Sequence, residues 1–459
     1  MEDKTLSTRV ILVRHGKSSY NQERRIQGRL DASILTEEGR ETARLVAEAL
    51  RGISFDAIYS SPLQRAKETA SVILSHLQAD GQHPPLEPKA SLMEIDLPAW
   101  EGMLRQEVIE KYPQDYRCWQ ERPHELRMLV PNANGYTEHF PVLAIYKQAQ
   151  QFWEEILSRH SDGTILVVAH NGINRALIST AVGISPAFYH SIQQSNCGIS
   201  VLNFASASDS AQGARGSVQL ESMNLTYHVG EKLPKPRENH HGVRLLLIRH
   251  GETEWNRQSR FQGQIDVPLN ENGREQARRV GEFLKDVEID FAVSSSMLRA
   301  KETAEVILKY HPQVEPKLDD GLREISHGLW EGKFESEIEQ IFPGMLQQWK
   351  QAPETVQMPA GENLQQVWER ASASWQTIVA SAAPGTTGIV VGHDAINKAI
   401  LCHLFDLSPK SFWCFKQGNG AVTVIDYPKG ADAPPVLQAM NITSHISGGI
   451  LDKTAAGAL

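Results

Sequence analysis

The second half of this chain repeats the first, motif by motif and in the same order. An apolar run ending in Arg14-His15-Gly16, followed by Asn21 and Gln27-Gly28, is answered by Arg249-His250-Gly251, Asn256 and Gln262-Gly263. Arg65 to Ala70 is answered by Arg299 to Ala304, Glu94 with Trp100-Glu101-Gly102 by Glu324 with Trp330-Glu331-Gly332, and His170 by His393. The copies stand 235 residues apart at His15/His250, 234 at Arg65/Arg299, 230 at Glu94/Glu324 and 223 at His170/His393, so loops shorten along the second copy while the order holds. A repeat this long is a duplicated domain, not a solenoid unit. The expected division is residues 8–228, a linker at 229–242 that carries Pro234, Pro236 and several charges, residues 243–445, and a tail at 446–459. The adjacent His240 and His241 of the linker read as solvated residues.

Within each copy, short β-branched runs (Val10–Val13, Ile165–Val168, Leu245–Ile248, Ile389–Val391) alternate with amphipathic stretches such as Glu37–Leu50 and Gly273–Leu284. That alternation predicts two three-layer α/β/α domains, each with a mostly parallel sheet. Both histidines of each copy immediately follow an apolar strand, where parallel sheets bind ligands.

Composition narrows the partners. A net charge of −9 gives no global attraction to nucleic acid or an anionic membrane, so an anion-binding site must gather its positive charge locally. The four cysteines form no CxxC pair, which speaks against a disulfide framework or zinc site and for a reducing compartment. Residues 1–9 are short and polar, and no stretch approaches the roughly 18 apolar residues of a membrane span. The expectation is a cytoplasmic enzyme.

Each copy then offers an Arg-His pair, an arginine opening a helix, a loop glutamate and a late histidine. Metal-free phosphoryl transfer needs such a set. A neutral imidazole attacks phosphorus, guanidinium groups and a second imidazole hold the charged oxygens, and a carboxylic acid protonates the leaving oxygen. On that logic His15 and His250 are nucleophiles, Glu94 and Glu324 proton donors, and Arg14, Arg65 and His170, with Arg249, Arg299 and His393, the phosphate clamps. Arg65 and Arg299 open predicted helices whose amides add to the anion site. A metallohydrolase is rejected because guanidinium groups directly precede the nucleophiles.

These residues resemble the histidine phosphatase superfamily, also called phosphoglycerate mutase-like, over nearly all of both copies. The resemblance implies that Asn21, Gln27, Gly28, Asn256, Gln262 and Gly263 also line the phosphate site, and that no cofactor and no metal are required. The first copy, through Leu92–Leu97, Tyr116–Gln120, His139–Pro141, Val167–Asn171 and Gln194–Gly198, is further similar to the 2-carboxy-D-arabinitol-1-phosphate phosphatases. This implies a small phosphorylated sugar acid as partner, with xylulose bisphosphate as a further candidate, and inorganic phosphate as product. Arg117 and His139 are candidates for the substrate's second anionic group. In the second copy Glu362, within Gly361-Glu362-Asn363, is the equivalent candidate at the mouth. The tryptophans are read as core residues. Two alternatives stay open: a phosphoglycerate mutase or phosphoserine phosphatase, against which the short Glu94–His170 and Glu324–His393 gaps favour hydrolysis over mutation, and a chain with one catalytic and one regulatory copy. Oligomeric state is not legible.

Overall fold

The computed structural model describes residues 6–133, 135–205, 218–238, 240–451 and 454. The chain divides into two compact units, Met1–Ser208 with Met223–Glu231, and Asp209–Ser222 with Lys232–Leu459.

The first unit is built on β1 (Leu6–Arg14), β2 (Ala57–Ser60), β3 (Leu86–Pro88), the hairpin β4 (Met128–Asn132) and β5 (Gly135–His139), β6 (Gly163–Ala169) and β7 (Ile199–Ala205). Its main sheet runs β3-β2-β6-β1-β7. The pairs β3/β2, β2/β6 and β6/β1 are parallel, and only β7 runs against β1. The strand β8 (Val218–Leu225) contributes Met223–Leu225 to this unit. Val10–Val13 and Ile165–Ala169 are fully buried, the unbroken apolar runs expected of parallel strands covered on both faces.

Chain direction explains where the cleft lies. From β1 through β2 to β3 the chain travels one way along the sheet, and from β3 through β6 to β7 it returns. Right-handed crossovers of opposite direction put their helices on opposite faces. Accordingly, helix Glu37–Ala49 packs on Gln64–Ala79, and Pro141–Arg159 packs on Asn171–Val182. At the carboxyl ends of β1 and β6 the connections diverge and leave a crevice. The loops there begin with His15 and His170.

The second unit repeats this plan with β9 (Arg244–Arg249), β10 (Phe291–Ser295), β11 (Pro316–Asp319), β12 (Thr387–Gly392), β13 (Val422–Asp426) and β14 (Val436–Ile442). The order β11-β10-β12-β9-β13-β14 is parallel as far as β9 and antiparallel beyond it. The predicted α/β architecture is present in both units. Trp330, Trp349, Trp368, Trp375 and Trp413 are buried, as a core role requires.

One local expectation is corrected. His240 is not solvated, because its ring lies 4.0 Å from the Asp426 carboxylate. Arg244 holds that carboxylate with two bonds of 2.7 and 2.8 Å and also donates to Pro234 O at 2.9 Å. A buried carboxylate gathers donors around it, and the proline-rich stretch is drawn in with them. Among the described residues, no helix is long and apolar enough to cross a membrane.

Candidate active sites

At the end of β1 the His15 amide donates to Ala169 O at 2.9 Å, tying the two strand ends together. The ring centroids of His15 and His170 stand 5.1 Å apart, and those of His250 and His393 also 5.1 Å. His15 Nδ1 lies 2.7 Å from Gly16 O, and His250 Nδ1 lies 2.7 Å from Gly251 O. A carbonyl can only accept, so Nδ1 carries the hydrogen and Nε2 of the neutral ring keeps its lone pair. In the second site Arg299 Nε donates to His250 Nε2 at 3.3 Å, consistent with that tautomer.

Electrostatics keep these rings neutral. Burial first, then the neighbouring guanidinium groups, hold all four histidines well below the ordinary imidazole value. Arg14 and Arg299 are themselves pulled down to about 10, mainly by burial, and Arg65 is lowered for the same reason. Arg14 Nε, Arg65 Nε and both ring nitrogens of His170 are buried without a hydrogen-bond partner. Crowded buried donors of this kind mark an anion site.

The arginines are aimed by carbonyls. Arg65 donates to Gly28 O at 2.9 Å and Leu30 O at 3.2 Å, and Arg299 donates to Gly263 O at 2.8 Å and Ile265 O at 3.2 Å. Arg14 donates to Gln194 O and Arg249 to Gln417 O, at 2.8 and 2.6 Å. Gly28 and Gly263 have φ of +52° and +56°, and a Cβ would stand about 2 Å from the carboxylates of Glu101 and Glu331. Those carboxylates accept from the Arg29 and Gln264 amides. The Trp-Glu-Gly motif thus shapes the loop that turns the arginine. Asn21 Oδ1 accepts from Ser18 and from Asn196 Nδ2, while Gln27 Oε1 accepts from Ser18 Oγ. Asn256 Oδ1 is held alike by Thr253 and Asn419, and Gln262 is buried beside its glycine.

The glutamates reach their sites from the loops after β3 and β11. Glu94 accepts from the amides of Ile95 at 2.8 Å, Gly172 at 3.1 Å and Ile173 at 3.2 Å. Glu324 accepts from Ile325 at 3.0 Å, Asp394 at 3.1 Å and Ala395 at 3.2 Å. Burial, and then the Asp394 carboxylate, raise the Glu324 pKa, as a proton donor requires.

The three specificity candidates are placed differently. Arg117 is 77% exposed on helix Pro113–Glu121 and pairs with Glu121 one turn on, so it is not brought to the phosphate cluster. A charge-rich helical face met by its own i+4 partner has no need of a ligand. His139 ends the β4–β5 hairpin with Nε2 3.1 Å from Asp96 O and 3.8 Å from Asp96 Oδ2, two residues beyond the acid. Glu362 accepts two 2.8 Å bonds from Arg370 and one from the Ser326 amide. It braces the loop that carries Glu324. Arg370 does so directly, donating to the carbonyls of Gly321 and Glu324, both at 3.0 Å. In the first unit Gln148 donates to the carbonyls of Ser91 and Met93, and Arg29 to that of Glu94.

Several contributors were not singled out from the sequence. Asn196 and Asn419 donate to the His15 and His250 carbonyls at 2.9 and 3.0 Å. Thr69 and Thr303 Oγ1 accept from the Gly16 and Gly251 amides, both at 3.1 Å. Carrying the 223-residue spacing forward from His170 would have paired Gln194-x-Asn196 with Gln417-x-Asn419. Among the described residues, no group of three or more His, Cys, Asp or Glu is placed to hold a metal ion.

Comparison with known proteins agrees with this geometry. The family model described as histidine phosphatase superfamily (branch 1) matches residues 10–213 and again residues 245–443. The 2-carboxy-D-arabinitol-1-phosphatase of Triticum aestivum is 30% identical over 95% of this chain and 86% of its own length. A probable 2-carboxy-D-arabinitol-1-phosphatase of Arabidopsis thaliana is 29% identical over 95% of this chain and 88% of its own. Phosphoserine phosphatase 1 of Hydrogenobacter thermophilus is 34% identical over 49% of this chain and 95% of its own.

Proposed function

Because this chain belongs to the histidine phosphatase superfamily and is a phosphatase of that class, we propose that both of its sites hydrolyse phosphate monoesters of small sugars or sugar acids, 2-carboxy-D-arabinitol 1-phosphate foremost. The observation that carries the reaction is the twice-built pair of neutral imidazoles 5.1 Å apart, each pair held neutral beside two arginines, Arg14 and Arg65 in the first site and Arg249 and Arg299 in the second. Nε2 of His15 or His250 attacks phosphorus, and the ester P–O bond breaks as Glu94 or Glu324 gives its proton to the leaving oxygen. Water then attacks the phosphohistidine and returns a proton to the carboxylate. The N–P bond breaks, and inorganic phosphate departs. Guanidinium groups hold the phosphoryl oxygens throughout, which is where such catalysts place most of their stabilisation. The sugar-acid assignment is supported by the wheat relative, which aligns with both copies rather than one. For the first site we assign the substrate's second anionic group to His139, whose ring lies beside the loop that carries Glu94.

A panel of carboxyarabinitol phosphates, xylulose bisphosphate, phosphoserine and 3-phosphoglycerate, assayed without added metal on His15→Ala, His250→Ala and the double variant, tests the reading. Each single variant should lose one site's turnover by a factor on the order of 10³ or more and keep one of two acid-labile phosphoryl groups per chain in a rapid quench. Single variants that retain full activity on every ester would refute the assignment. A second reading, hydrolysis of phosphoserine, is favoured by the identity to the Hydrogenobacter enzyme, and the same panel separates the two.

A further inference from the structure

The residue after the late histidine differs between the copies, Asn171 in the first and Asp394 in the second. Asp394 is 1% exposed and opens helix Asp394–His403. Its amide donates to Glu324 Oε2 at 3.1 Å, so its carboxylate, one short side chain from that nitrogen, shares the buried surroundings of the proton donor. Its carboxylate lies 3.4 Å from Arg249 Nη1 and 2.7 Å from Lys398 Nζ. Lys398 is buried too, 4.9 Å from the Phe412 ring centre and 4.7 Å from that of Trp413. The first site has no such carboxylate. There the position of Lys398 is taken by Arg175, over the Tyr189 ring at 5.5 Å, and Gly172 lies between the Tyr189 hydroxyl and Glu94.

We propose that Asp394 is a positioning residue of the second site, whose buried negative charge keeps the proton on Glu324 and engages Arg249 until a phosphoryl group takes it over. Glu324 is influenced by Arg249 from the end of β9, by Arg299 from helix Leu298–Leu308 and by Asp394 at the start of helix Asp394–His403, while Lys398 pairs with Asp394, the His250 and His393 rings adjoin the same arginines, and Arg370 donates to the Glu324 backbone carbonyl. The four rings and guanidinium groups nearest the acid are either neutral or cationic, and cations favour the ionised carboxylate. Asp394 is the one anion in this set, and a like charge buried beside a carboxyl favours its protonated form. The direction found for Glu324, with Asp394 next after burial as its cause, agrees. Such an acid protonates a poor alkoxide leaving group to a higher pH than the same carboxylate would alone.

This inference rests on Glu324 being the proton donor of the proposed reaction. In a His15→Ala background only the second site turns over. There Asp394→Asn should move the alkaline limb of kcat/KM for an alkyl phosphate down by about one pH unit. Asp394→Asn/Lys398→Met, which leaves no ammonium facing a lost carboxylate, should move it equally. With 4-nitrophenyl phosphate, whose leaving group needs no proton, the limb should stay in place. A direct readout independent of turnover is the ¹³C titration of the Glu324 carboxyl, assigned by its disappearance in Glu324→Gln, which should midpoint lower in both variants. An unmoved ¹³C midpoint in both folded variants overturns the proposal. Absence of turnover on every ester would instead refute the phosphatase reading of this site, and the carboxyl titration would still decide the role of Asp394.

Discussion

The two proposed proton donors share a place in the repeat but not on their helices. Glu94 takes the amides of Gly172 and Ile173, whereas Glu324 takes those of Asp394 and Ala395, one position earlier when the copies are aligned on His170 and His393. The cause is small. A Cβ on Gly172 would stand 2.4 Å from Glu94 Oε1 and 2.5 Å from the Tyr189 hydroxyl. The second copy has that Cβ, on Ala395, and has Phe412 in place of the tyrosine. One methyl group therefore moves a carboxylate along a helix start, and the residue it reaches, Asp394, changes the charge it feels. Duplicated sites with identical motifs have diverged through residues outside the motifs.

The brace behind the acid has diverged in the same manner. In the second unit Arg370 and Gln264 hold the Glu324 loop, and in the first Gln148 and Arg29 do so, the guanidinium and amide having exchanged elements. Arg29 then bonds Gln148 Oε1 at 2.8 Å and lies 3.8 Å from Asp96, which His139 also approaches. The second unit instead neutralises its guanidinium with Glu362. The same loop is supported with two different charge placements at the mouth.

The largest effect should come from copying the second arrangement into the first. Gly172→Ala, assayed in His250→Ala, should cut kcat/KM for an alkyl phosphate roughly a hundredfold by displacing the acid. Adding Tyr189→Phe should restore much of it by giving the carboxylate room. If Gly172→Ala is silent, the glycine does not decide where the acid sits. Next in size, Arg370→Gln should destabilise the second unit by about 2 kcal/mol, since Glu362 and the three loop carbonyls of Gly321, Arg323 and Glu324 lose their donor. Gln264→Arg in the same chain should recover about 1 kcal/mol of this, read as the coupling in a double-mutant cycle of urea unfolding. Strict additivity would dissolve the comparison of the two braces.

The smallest effect concerns acid stability. His327 is buried among Phe261, Trp330 and Trp349, where the first copy has Leu97. Burial holds it at about 3, below the 6.5 of an exposed imidazole. The neutral ring's stabilisation is complete above pH 6.5 and is lost as pH falls toward 3, by about 1.4 kcal/mol at pH 5.5. His327→Leu should therefore reduce the loss of second-unit stability between pH 7.5 and pH 5.5 by that amount. His228 and His445, each held at about 4 and donating to Cys197 O and Gly420 O, impose a common acid sensitivity on both units that this substitution leaves in place.

Much of the site was legible because strand-end motifs report their own environment. An apolar run followed by Arg-His can place that histidine only at a sheet's carboxyl edge, and repetition made chance an untenable account of the set. The helices opened by Arg65 and Arg299 begin one residue earlier than expected, at Gln64 and Leu298. The β4–β5 hairpin that carries His139 was not foreseen. Its residues are exposed on most positions, so no alternation of buried and exposed side chains advertised it. Arg117 looked like an anion ligand because a segment match is blind to which way a helix turns its face.

By itself, then, the order of residues gave a duplicated α/β domain and a phosphatase family, and it singled out the two histidines and the two arginines that each copy gathers at one strand edge. Only tertiary structure decided which helix amides receive each acid, which carboxylate stands behind it and which cation braces its loop. Those outcomes depend on a methyl group, on Ala395, meeting a carboxylate 71 residues away in sequence, and on burial that strengthens a charge no local pattern reveals.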